Sequence, residues 1–95
     1  MRLMTNKIMD GLPALYQTEN TATDEKVLLM RFYGLNTGWQ WYLCEYSHED
    51  NIAFGYVIGH ENEWGYFSLE EMESIHTILR DKEFQPIKFK DLKNK

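Results

Sequence analysis

Two short tetrads, His48-Glu49-Asp50-Asn51 and His60-Glu61-Asn62-Glu63, each place an imidazole beside carboxylates. That donor mix is one a divalent cation accepts. Neither tetrad has the His-Glu-x-x-His spacing that puts two imidazoles on one helix face. The segment between them, Ile52 to Gly59, has the composition of a strand, which sends the tetrads to opposite ends of it. They read as solvated turns, and no metal is assigned. Cys44 and His76 are a conceivable nucleophile and base, but Cys44 lies inside an apolar run and reads as a small buried hydrophobe. Arg31, Glu45 and His60 are a third grouping, able to form a polar cluster across neighbouring strands. Arg31 with Glu45 reads more simply as a cross-strand ion pair. The chain contains no Gly-x-Ser-x-Gly, P-loop or dinucleotide fingerprint. No catalytic residue and no cofactor is assigned.

The elements that must position these residues centre on Lys26 to Ser68. Four β-branched and aromatic runs follow one another, Lys26–Tyr33, Trp39–Tyr46, Ile52–Gly59 and Trp64–Phe67. The links between them are short, and Gly34-Leu35-Asn36-Thr37-Gly38 has strong turn chemistry. Links of that length join adjacent antiparallel strands, so the expectation is a meander. By strict alternation Trp39, Trp41 and Leu43 share one face of the second strand, and Gln40, Tyr42, Cys44 and Tyr46 share the other. Gly55 and Gly59 make one face of the third strand small, able to admit a closely packed helix. Either helices and terminal segments cover both faces, or one aromatic face stays open to a partner.

Residues 1–25 read as an N-terminal arm and loop. Thr5 caps a short helix over Asn6–Asp10 that stops at Gly11, and Leu12, Leu15 and Tyr16 lie on the sheet as a lid. After the sheet, Ser68-Leu69-Glu70-Glu71 fits a capping box. Leu69, Met72, Ile75, His76 and Leu79 recur at helical spacing, which predicts a helix over 69–80 packed on the Gly55/Gly59 face. Residues 81–95 read as an edge segment, with Ile87–Phe89 a candidate fifth strand, and a basic tail of Lys88, Lys90, Lys93 and Lys95. The fold class is α+β, a four- to five-stranded antiparallel meander in a single domain.

Composition bounds the partner. The 95 residues carry a formal net charge of −5 and three Trp, six Tyr and five Phe. A chain short of lysine and arginine does not suit direct binding to nucleic acid or to an anionic membrane surface. The single cysteine forms no intrachain disulfide, and no segment has a signal peptide's apolar core or the length of a membrane span, so the expected location is cytoplasmic. The expected partner is another protein, one with a basic surface. The candidate contact residues are Trp39, Trp41, Glu45, Glu49, Asp50, Glu61, Glu63 and Trp64, and monomer and homodimer both remain open.

Several segments taken together resemble a known family. They are Leu12-Pro13-Ala14-Leu15-Tyr16 followed by Thr18-Glu19, then Trp39-x-Trp41-Tyr42 leading to Glu45, then Phe54-Gly55-Tyr56-Val57-Ile58-Gly59-His60-Glu61, and finally Glu63-Trp64-Gly65-Tyr66-Phe67-Ser68-Leu69-Glu70-Glu71-Met72-Glu73. Their order is similar to that of a small bacterial family catalogued as a domain of unknown function. Its genes sit on plasmids, conjugative elements and phages, often near anti-restriction genes. The resemblance spans Leu12 to Phe89, although the link from Arg80 to Gln85 is shorter here than in the family. It supplies no catalytic residues. What it implies is a non-enzymatic acidic module that inhibits a host defence system of the anti-CRISPR or anti-restriction kind. The alternative is a small enzyme or ligand-binding domain built on Arg31, Glu45 and His60.

Overall fold

A computed structural model describes residues 1–93. Helix α1 (Asn6–Asp10) precedes a 3₁₀ turn at Thr23–Glu25. Strands β1 (Val27–Leu28), β2 (Met30–Gly34), β3 (Gln40–Ser47), β4 (Ile52–Ile58) and β5 (Asn62–Ser68) follow. Helix α2 (Leu69–Ser74), strands β6 (Ile78–Arg80) and β7 (Ile87–Lys88), and helix α3 (Phe89–Lys93) come next. The fold is α+β. Five strands form one antiparallel sheet in the order β5-β4-β3-β2-β6, and β1 pairs with β7 in a separate two-stranded ribbon. The meander from β2 to β5 is the one that short links dictate, but the single first strand expected over Lys26–Tyr33 divides at Leu29 into β1 and β2. Asn36 and Gly38 take positive φ in the β2–β3 turn, as does Asn51 in the β3–β4 turn, residue types that adopt this conformation at low cost.

The helix expected over 69–80 is corrected. It starts as expected, with the Ser68 hydroxyl accepting from the Glu71 N–H at 3.1 Å. It stops at Ser74, and Ile75 is extended (φ −100, ψ 102). Ile78–Arg80 instead pairs with the outer edge of β2, in the register Gly34↔Ile78, Tyr33↔Leu79 and Phe32↔Arg80. Two facts favour this. Ile75, Thr77 and Ile78 are β-branched, and a lone strand edge on β2 leaves backbone groups unpaired. The fifth strand of the main sheet is therefore β6. The expected strand over Ile87–Phe89 forms only as β7, paired with β1, before Phe89 opens α3.

Each sheet face carries its own core. One holds Met30, Phe32, Leu43, Tyr46, Ala53, Phe67 and Ile78 under Leu69 and Met72 of α2 and Leu3, Met4 and Met9 of the N-terminal arm. Helix α2 thus lies on the expected face, though not because of vacant space above the glycines. A Cβ at Gly55 would run into the Tyr42 carbonyl, and one at Gly59 into the Trp39 ring. The other face holds Leu28, Tyr42 and Cys44 under Phe89, with Tyr56, Trp64, Phe84, Ile87 and Leu92 around them. The arm's contribution is also corrected. Leu3 and Met4 are the fully buried residues, whereas Tyr16, expected as part of a lid, is largely exposed.

The arm is fastened by polar groups. Arg2 donates through its guanidinium to the carbonyls of Ile78 (2.6 Å), Glu73 (3.1 Å) and Ile75 (3.1 Å), so it closes the open C-terminal end of α2. The Glu73 carboxylate accepts in return from the backbone N–H groups of Arg2 (2.5 Å) and Leu3 (2.9 Å).

Candidate functional site

A β-bulge decides which candidate residues can meet. The β3–β4 register runs Tyr42↔Tyr56 and Leu43↔Gly55, then shifts to Glu45↔Phe54 and Tyr46↔Ala53. Cys44 is the extra residue. The alternation expected along this strand holds through Cys44, which stays on the face of Tyr42, and fails beyond it, because a bulge moves every later side chain to the opposite face. Tyr46 therefore enters the core beneath α2, and Glu45 crosses to the face of Phe54.

On that face Glu45 is 4% exposed and fully engaged. One carboxylate oxygen accepts from the Tyr16 N–H at 2.8 Å, and the other from the Thr18 N–H at 3.0 Å and from the Thr18 hydroxyl. The Tyr46 N–H donates to the Pro13 carbonyl at 2.8 Å, and Lys26 reaches the Thr18 carbonyl at 2.5 Å. The bulge and the loop Pro13–Thr18 are thus one clasp, with Tyr16 held at φ 68. A pocket of about 130 Å³ lies beside it, lined by Tyr16, Glu19, Lys26, Glu45, Phe54 and Tyr66. Glu45 is a structural acceptor here, which corrects its assignment to the contact surface. Burial pushes the neighbouring Cys44 thiol above its ordinary value, keeping it protonated and poorly nucleophilic.

The cluster of Arg31, Glu45 and His60 does not assemble. Arg31 sits opposite Tyr42, donates to Gln40 at 3.0 Å and pairs with Asp81 at 3.1 Å. The expected Arg31–Glu45 ion pair is absent because the β2–β3 register sets Arg31 opposite Tyr42, three residues along β3 from Glu45, which the Pro13–Thr18 loop engages instead. His60 lies edge-on to the Trp39 ring, 5.3 Å between centroids. The two His-containing tetrads lie at opposite ends of β4, as the strand between them requires. His48 approaches Asp10 at 3.2 Å. No cluster of metal-ligating side chains occurs among the described residues.

Two of the eight candidate contact residues line a common groove. Trp39 and Trp41 stack at 5.8 Å with an interplanar angle of 25°. They line an apolar groove of about 300 Å³ with Gly34, Thr37, Ile75, Thr77 and Ile78. Trp41, Val57 and Glu63 lie opposite one another across β3, β4 and β5, so they share a face. Glu61 follows His60 in the hairpin against which Trp39 packs. The groove is therefore a shallow apolar surface, and Glu63 lies on the same sheet face two strands from Trp41. The sequence reading omitted Ile75 and Ile78, because a helix over 69–80 would have placed Ile75 in the core. In fact Ile75 is 47% exposed.

The remaining candidates are elsewhere. Glu49 and Asp50 lie in the turn at the far end of β4. Trp64 faces the opposite side, its ring 5.0 Å from Phe89 and 5.7 Å from Phe54. The basic tail is engaged as well. Lys88 and Lys90 pair with Glu25 at 2.8 and 3.0 Å, and Lys93 pairs with Asp24 at 2.7 Å. Lys95 lies outside the described residues. No helix among the described residues is long and apolar enough to cross a membrane. In comparisons with known proteins, no family model, curated protein or solved structure matches the chain.

Proposed function

We propose that the chain is a non-enzymatic protein-binding module, with the Trp39–Trp41 groove as its contact surface. Its partner presents an apolar side chain flanked by lysines or arginines. The observation that carries this reading is the groove itself, two stacked indoles with Ile75 open to solvent over the buried Ile78, on the sheet face that also carries Glu63. Apolar patches with a polar rim are the form that protein interfaces take, and tryptophans at their centres contribute most of the affinity. Carboxylates on the rim attract a basic partner and set its orientation. The resemblance to a mobile-element family supplies the biological context. In that context the module inhibits a host defence enzyme by occupying the basic surface on which the enzyme holds nucleic acid.

The test is capture from host lysate by the tagged protein and by two variants. Ile75→Asp places a charge in the groove at an exposed position, and Glu49→Lys reverses a charge at the far end of β4. The expected result is a partner retained by the native chain and by Glu49→Lys, and lost by Ile75→Asp. Retention by Ile75→Asp at the native level overturns the assignment of the groove.

A further inference from the structure

The two edges of the main sheet are unlike. On the β6 side the edge is three residues long and sits under the N-terminal arm, where Arg2 takes the Ile78 carbonyl and Arg80 donates to the Leu3 carbonyl at 3.2 Å. On the β5 side the edge runs seven residues, Asn62–Ser68, with no lysine, proline or bulge, the devices that ordinarily blunt an edge.

Which backbone groups β5 leaves free follows from its two ends. Gly59 N–H donates to the Glu61 carbonyl at one end of the β4–β5 ladder, and Leu69 N–H to the Asn51 carbonyl at the other. Hydrogen-bonded pairs alternate along an antiparallel ladder. Glu63, Gly65 and Phe67 therefore point their backbone groups at β4, and Asn62, Trp64 and Tyr66 point theirs outward. No group among the described residues bonds these outward N–H and C=O groups.

We propose that β5 pairs antiparallel with β5 of a second copy of this chain, about a two-fold axis at Gly65, joining two sheets into one of ten strands. The register is self-complementary. Placing Gly65 opposite Gly65 sets Trp64 opposite Tyr66 and Asn62 opposite Ser68, which matches outward-pointing residues with outward-pointing ones. Gly65 then falls at a non-hydrogen-bonded position, where Cα atoms approach to about 4.5 Å, the closest approach in the ladder. It is the one residue of β5 without a side chain. On the face of Phe54, Trp64 and the 56%-exposed Tyr66 of each copy meet as cross-strand aromatic pairs. On the other face Glu63 lies opposite Phe67, so the two Glu63 carboxylates stay well apart. The Trp39–Trp41 groove is not part of this contact.

The test uses the full chain in sedimentation velocity from micromolar to near-millimolar concentration, with the variants Gly65→Lys and Gly65→Glu. A Cβ at Gly65 meets nothing within 4 Å in the monomer, so both side chains fit there. In the dimer each would face its own like charge. The expected result is a native dimer, two monomeric variants, and a heterodimer when the two variants are mixed. A native monomer throughout the range overturns the proposal, as does a native dimer that Gly65→Lys leaves intact, which would place the contact on another surface such as the groove. If both variants fail to fold, hydrogen exchange of the native chain decides. Protection of the Trp64 and Tyr66 N–H groups that rises with concentration supports the pairing. Fast exchange at every concentration excludes it.

Discussion

Glu45 is the residue whose placement most changes the reading of this chain. A carboxylate within an aromatic strand suggests a surface acid or an ion-pair partner. One inserted residue turns it inward onto two backbone N–H groups and a hydroxyl of the Pro13–Thr18 loop. Hydrogen bonds to a charged acceptor in a buried site contribute more than neutral ones do. Glu45→Gln keeps the shape but turns one acceptor into a donor that faces other donors. It is expected to lower stability by about 1.5–3 kcal/mol, the range for losing a bond to a charged group. Urea unfolding near neutral pH measures this, and a loss below about 0.5 kcal/mol, within the noise of a surface substitution, would mean that the clasp is not structural.

At the scale of elements, the short ribbon of β1 and β7 and helix α3 close the second core through Phe89 and are tied down by charge. Hydrogen bonds from Lys88 and then Lys90, together with the charges of both, lower the Glu25 carboxyl from 4.5 to about 2. Its folded pKa is depressed, so its contribution to stability is fully present above about pH 4.5 and is lost as the pH falls toward 2. Glu25→Gln lacks that contribution at every pH. The urea midpoint of the native chain is therefore expected to fall faster than that of Glu25→Gln between these limits, with the two curves converging at the acid end. Parallel curves would show that the lysines do not hold Glu25 in solution. Helix α2 makes a similar point. At six residues it is too short to be stable alone, so its caps, Ser68 at one end and Arg2 at the other, matter as much as its apolar stripe.

For the molecule as a whole, a single sheet with a core on each face leaves little aromatic surface unused, and what is left is concentrated in two places. One is the groove of Trp39 and Trp41, and the other is the edge at Trp64 and Tyr66, with the exposed Tyr16 beside it. With a net charge of −5, association with a basic partner at the groove is expected to be steered electrostatically. Raising the salt concentration should slow the association rate by tenfold or more, on the order of a steered encounter, while changing the dissociation rate far less. Stopped-flow association at low and high salt reads this directly. A rate indifferent to salt would remove the carboxylate rim from the mechanism.

The sequence by itself determined the elements whose signals are local. The four strands β2 to β5, their order, the turn at Asn36 and Gly38, and the caps at Thr5 and Ser68 all follow from periodicity and turn chemistry within a few residues. The separation of the two His-containing tetrads followed from the same meander. Tertiary structure alone decided the rest, because each remaining choice depended on a distant partner. Ile78–Arg80 became a strand because β2, more than forty residues earlier, offered an unpaired edge, and that removed Ile75 from the core and opened the groove. Glu45 turned inward because a bulge at Cys44 met the Pro13–Thr18 loop, and nothing in the alternation of β3 announces an extra residue. Leu3 and Met4 are buried because Arg2 finds the carbonyls at the end of α2, some seventy residues away in the chain. Local propensity sets which segments are extended or helical, but the faces they bury are fixed by long-range hydrogen bonds that a linear pattern does not contain.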